Sequence, residues 1–246
     1  MLTAGVDLAA EPKGTALALV EWTSGIATVV DLQLGVSDEQ IVKIASQVDK
    51  LGIDCALGWP MEFVNFVAQQ AHPTLASHDF DGGMVWRRSL AYRETDRHVR
   101  EVTGRWPLSV STDRLGLTAM RCAGLLTRLS ASGVEIDRSG SGLVTEVYPG
   151  ASLRLWGFNT SGYRTSQDLR ATLLNSLTTQ AMWLELGEYE ELMISSCDAF
   201  DAVIAAIAAR ASAVGRTLPP NEDQVSTARV EGWVALPVGP LNTLNE

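Results

Sequence analysis

At four places the sequence sets acid inside or against an apolar run. Asp7 interrupts AGVDLA, Asp54 interrupts GIDCAL and Glu146 interrupts VTEVY, while Asp198 and Asp201 stand three apart where the apolar stretch CDAFDAVIAAIAAR begins. An ionised carboxylate buried without a partner costs several kcal/mol, so each position calls for a compensating group. A divalent cation is one such group. Oxygen-only ligands suit Mg2+ or Mn2+, whereas zinc wants Cys or His ligands. Two such ions can activate a water and stabilise the leaving oxygen of a phosphodiester. Each acid also has a purely structural reading. Asp198 can be a helix N-cap with Asp201 favoured by the helix dipole. Asp7 can end its strand in a turn, and Glu146 can pair with an arginine.

The arginines are unevenly placed. Nine of them, Arg87, Arg88, Arg93, Arg97, Arg100, Arg105, Arg114, Arg121 and Arg128, fall between Trp86 and Arg128 against four acids, so this segment is +5 and the remainder −15 in a chain of net charge −10. The overall acidity argues against nucleic acid, which is held mainly through its phosphates, but the local excess argues for it. Arg93, Arg97 and Arg100 lie at helical spacing on one face, and guanidinium groups suit planar contact with phosphate. These three and Arg114 are the candidate substrate-binding residues. The alternative is a solvated helical face with internal ion pairs.

The elements that must position these groups follow from patterning. TAGVDLA, TALALVEW and IATVVDLQL read as three strands, the last two joined by Thr23-Ser24-Gly25. Ser37 with Gln40 is a capping-box signal for a helix carrying Ile41, Ile44, Ala45 and Val48. GIDCALGWP is a further strand, which places Asp54 beside Asp7 if it runs parallel to the first. Residues 61–140 read as a helical insertion or cap, with loop signals at Asp81-Gly82-Gly83 and at Gly104 to Pro107. GLVTEVYP is a strand ended by Pro149, a helix spans about 166–186, and EGWVALP lies in the tail.

One α/β domain over 1–246 is expected, since no linker-like segment divides the chain. The N-terminus has no basic residue before its apolar run and no apolar run reaches membrane-spanning length, so a cytoplasmic protein without membrane contact is expected. Cys55, Cys122 and Cys197 read as free buried thiols. His72, His78 and His98 show no metal-ligand spacing. Neither a Walker-type phosphate loop nor GxSxG is present. Trp59, Trp86, Trp106 and Trp156 border the expected cleft and read mostly as packing residues.

The stretches GVDLAAEPKGTALA, IDCALGWP, RETDRHVREVTGRWPLSVSTDRLG, TEVYPGASLRLWG, DAFDAVIAAIAAR and EGWVALP, in this order, resemble the bacterial domain-of-unknown-function 429 family, described as predicted nucleases of RNase H-like fold. The resemblance implies a mixed five-stranded sheet flanked by helices, its first three strands antiparallel and the next two parallel to the first. It implies that Asp7 is the first-strand acid and Asp198 with Asp201 the pair on the last helix, with Asp54 or Glu146 as the middle acid. The expected activity is metal-dependent cleavage of nucleic acid, with Asp7, Asp54, Asp198 and Asp201 holding Mg2+ or Mn2+. The alternatives are a non-catalytic nucleic-acid or protein-binding module and a nucleotide-dependent phosphotransferase.

Overall fold

The structure is a computed structural model that describes residues 1–71 and 82–245. His72, His78 and Asp81 lie outside the described residues. The chain opens with strands β1 (Leu2–Asp7), β2 (Ala16–Thr23) and β3 (Ile26–Leu34), followed by helix α1 (Asp38–Ala45) and strand β4 (Lys50–Asp54). Four helices come next, α2 (Met61–Ala71), α3 (Gly83–Ala91), α4 (Glu94–Thr103) and α5 (Gly116–Ala131). Then follow β5 (Val144–Glu146), α6 (Pro149–Leu155), α7 (Gln167–Gln180), β6 (Leu184–Glu185), α8 (Glu190–Ser195), α9 (Cys197–Ala213) and α10 (Val225–Glu231).

The strands form one mixed sheet in the order β5-β4-β1-β2-β3-β6. The first three are antiparallel neighbours, while β4 runs parallel to β1 and β5 parallel to β4. The sheet therefore has six strands where the sequence pattern suggests five. The sixth comes from the end of the expected 166–186 helix: α7 stops at Gln180, and Leu184 and Glu185 pair in parallel with Ala27 and Thr28 of β3. A two-residue strand carries no alternation to be read. Pro149 likewise opens a helix rather than merely ending a strand, as its fixed φ and missing N–H allow at a first helical turn.

Alternation divides the sheet into two faces. Ala4 and Val6 of β1 and Leu51 and Ile53 of β4 join a core with Ile41 and Ala45 of α1 and Leu125, Leu126 and Leu129 of α5. The opposite face of β1 and β4 carries Thr3, Gly5, Asp7, Gly52 and Asp54, and α9 lies against it. Thr3 Oγ1 donates to the carbonyl of Ala206 at 3.0 Å. A Cβ on Gly5 would run into the backbone of Ala202 and Ala206, and one on Gly52 would come within 2.7 Å of the Ala205 carbonyl oxygen. Two glycines facing a run of alanines thus let the helix backbone approach the sheet. Phe200, Val203, Ile204 and Ile207 fill the larger core that α9 shares with β2, β3 and α7. Buried along most of its length, α9 is a central helix whose polar side chains are confined to its ends.

Candidate active site

The register of the two parallel strands fixes the first half of the site. Gly5 pairs with Gly52, and two residues on Asp7 pairs with Asp54. Paired residues of a parallel sheet share a face, so both carboxylates leave the C-terminal edge toward α9. The glycines two positions earlier set how close that helix lies. At its start, Ser196 is the N-cap and accepts from the N–H of Ala199 at 3.2 Å. Asp198 is therefore not the cap, and it and Asp201 are left to face the strand ends.

Asp7, Asp54, Asp198 and Asp201 line one cavity of about 410 Å³. Burial, and then the charges of Asp54, Asp201 and Asp198, push Asp7 up to about 9. Burial and Asp201 push Asp54 up to about 8, against the pull of Arg164. Asp201 is raised by burial although Arg164 and the Tyr163 hydroxyl draw it down. Tyr163 Oη donates to Asp201 Oδ1 at 2.9 Å, and Arg164 Nη2 lies 3.3 Å from Oδ2. Among the described residues, no hydrogen bond or ion pair reaches the carboxylates of Asp7, Asp54 or Asp198.

Glu146 lies on the same cavity but belongs to a different arrangement. Its Cα partner on β4 is Ile53, one residue short of Asp54, so alternation sends its side chain to the other face of the sheet. There it meets the buried Arg93. Nη2 and Nη1 of Arg93 donate to Glu146 Oε1 and Oε2 at 2.7 and 2.8 Å, and Nη2 and Nε donate to Asp96 at 2.9 and 3.2 Å. The N–H of Leu57 donates to Glu146 Oε2 at 3.0 Å, and Arg93 Nη1 also donates to the Glu231 carbonyl at 3.0 Å. Glu231 accepts from the N–H groups of Met61 and Glu94, tying the starts of α2 and α4 to α10. Gly232, at φ +95°, passes so close that a Cβ would sit 2.6 Å from Glu146 Oε2. The buried charges hold Arg93 well above the usual guanidinium range despite its desolvation.

The structure thus joins Asp7, Asp54, Asp198 and Asp201 in one group and places Glu146 in an ion pair with Arg93. Arg93 lines the cavity with its guanidinium fully engaged, while Arg97, Arg100 and Arg114 are exposed and do not line it. Arg97 Nη1 donates to the Tyr92 carbonyl, and Arg121 and Arg128 pair with Asp38 and Glu39 of α1. His98 stacks on Trp233, and burial lowers its pKa. Trp106 stacks on Tyr92, Trp86 meets Phe66 edge-on and Trp156 is in the core. Sequence reasoning missed Arg164 and Tyr163. They lie in the loop between α6 and α7, where no periodicity marks them. It read Cys55 and Cys197 as free buried thiols; both are free, and both are half-buried and line the cavity. Burial and the charge of Asp201 push the Cys197 thiol up to about 12, which leaves it protonated at neutral pH.

The donors at the strand ends are all oxygen, the set that suits a hard divalent cation. Among the described residues, no group of three or more His, Cys, Asp or Glu side chains is placed to hold a metal ion. Among the described residues, no helix is long and apolar enough to cross a membrane.

A family model described as "Protein of unknown function (DUF429)" matches residues 5–225. The chain belongs to this family. The matched span takes in Asp7, Asp54, Asp198 and Asp201 together with Glu146, Arg93 and Arg164. It ends within α10, so Glu231 and Gly232 lie past the DUF429 match. No curated protein and no solved structure matches the chain.

Proposed function

We propose that this DUF429 protein is a metal-dependent phosphodiesterase acting on nucleic acid, with an RNase H-like arrangement of strands and acids. The observation that carries the reading is the in-register pair Asp7 and Asp54 at the edge of two parallel strands, with Asp201 brought over them by α9. Six carboxylates and two guanidinium groups line the cavity. Arg93 is spent on Glu146 and Asp96, which leaves Arg164 to serve four aspartates. Such a group is short of positive charge, and a divalent cation supplies it.

Asp7 and Asp54 would hold the ion, with Asp201 fixed by Tyr163 as the third donor and Asp198 at the rim. A divalent cation held by these residues would supply water activation and charge neutralisation at the leaving oxygen. The chain's own contribution is to hold the acids in register, to keep Asp201 oriented and to wall the cavity on one side with Pro107, Leu108 and Leu115.

The test is cleavage of labelled single- and double-stranded DNA and RNA in Mn2+ and in Mg2+. Wild-type cleavage that drops at least ~100-fold in Asp7→Asn and Asp54→Asn supports the reading. The lack of a closed metal shell favours one rival, the non-catalytic binding module. It predicts nucleic-acid binding that persists in EDTA and in both variants, with no cleavage.

A further inference from the structure

We propose that Arg164 is a displaceable counter-cation: it neutralises Asp201 while no divalent ion is held and is released to a substrate phosphate once an ion takes that carboxylate. This rests on the metal-dependent reading above and adds to it the group that receives the substrate.

The two cavity arginines differ in how they are held. Arg93 is 4% exposed, bidentate on Glu146, and locked by further bonds to Asp96 and a carbonyl. Arg164 is 51% exposed although its partner Asp201 is only 3% exposed, and its Nη2 lies 3.3 Å from the carboxylate. Its Nε donates to Tyr163 Oη at 3.1 Å. A guanidinium with a long carboxylate contact and half its surface open has donors to spare, and its planar fork matches phosphate oxygens.

Asp201 does not depend on Arg164 for its place. Tyr163 Oη donates to Oδ1, and the Cys197 thiol lies 3.7 Å from Oδ2, the oxygen that Arg164 approaches. Removing the guanidinium therefore opens Oδ2 and leaves the carboxylate oriented. The backbone beneath is fixed as well, since Arg170 Nη1 donates to the Tyr163 carbonyl at 2.8 Å. The change asked for is a rotation of one long side chain, with no movement of the loop.

The experiment uses the full chain with two probes, Mn2+ alone and then inorganic phosphate added to the Mn2+-loaded protein, each followed by calorimetry. Arg164→Gln removes a competing positive charge, so it should bind Mn2+ about tenfold more tightly than wild type, and phosphate about tenfold more weakly. Arg164→Lys keeps the charge without the fork, so Mn2+ affinity should stay near wild type while phosphate binding falls. Equal or weaker Mn2+ binding in Arg164→Gln overturns the proposal while leaving the metal reading intact. A wild type that binds no Mn2+ overturns both. Thermal unfolding of each variant checks that the exposed side chain was not holding the fold, and if Arg164→Gln is unfolded, unchanged phosphate binding in Arg164→Lys overturns the proposal.

Discussion

Glu146 on β5 and Asp54 on β4 stand at the ends of adjacent parallel strands and line one cavity, yet a one-residue offset in register separates their surroundings. Glu146 finds a buried guanidinium and a backbone N–H, so its charge is matched. Asp54 finds Asp7 across the strand pair and Asp201 on α9, so its charge is opposed. Burial alone therefore does not separate the two acids. The difference is a shortage of counter-charge beside Asp54, where α9 packs closely on the sheet.

The largest effect should come from breaking the matched group. Arg93→Ala strands Glu146 and Asp96 in the interior and should destabilise the protein by about 3–5 kcal/mol in urea unfolding. A loss under 1 kcal/mol would show that the two acid groups are not energetically different. Next in size is Gly5→Ala, whose Cβ drives α9 off β1 and should cost about 1–3 kcal/mol while weakening Mn2+ binding. Unchanged Mn2+ affinity there would separate helix approach from the site.

Relieving the opposed group should act in the other direction. Asp7→Asn removes a carboxyl that must take up a proton to fold at this pH and should stabilise the metal-free protein by about 1–2 kcal/mol at pH 8. The pH dependence follows from sign. Asp7 and Asp54 titrate near 3.8 when unfolded and near 9 and 8 when folded, so the folded state holds extra protons between those values. Their contribution is fully present below pH 3.8 and is lost as pH rises toward 8–9. The melting temperature of the metal-free wild type should fall relative to Asp7→Asn from pH 5 to pH 8, and Mn2+ should close the gap. His98, whose pKa is lowered by burial, contributes the opposite slope in both proteins and cancels in the difference. The smallest effect belongs to the exposed arginines: Arg97→Ala and Arg100→Ala should change stability by less than about 0.5 kcal/mol. If they weaken nucleic-acid binding, the arginine-rich segment takes part in holding it.

The sequence made Asp7, Asp54, Asp198 and Asp201 legible because each breaks an apolar pattern, and apolar patterning is what periodicity reads. It made β1 to β4 and the Ser37 capping box legible for the same reason. Glu146 breaks a pattern equally well, and only the strand register, a tertiary quantity, sets it apart. Arg164 was illegible because a single basic residue after Gly162 in a loop looks like any solvated arginine. The arginine-rich segment drew attention by charge count, but its members went to separate tasks: Arg93 to Glu146, Arg121 and Arg128 to α1, and Arg97, Arg100 and Arg114 to the surface. Composition cannot make that division.

The most direct measurement is calorimetric titration of Mn2+ into the metal-free wild type, Asp7→Asn and Asp54→Asn, repeated with a non-hydrolysable phosphorothioate oligonucleotide present. A metal site built on the two strand-end aspartates predicts micromolar binding to the wild type that is lost in both variants and tightened by the oligonucleotide. Absence of binding to the wild type under both conditions, or binding that survives both substitutions, would contradict it.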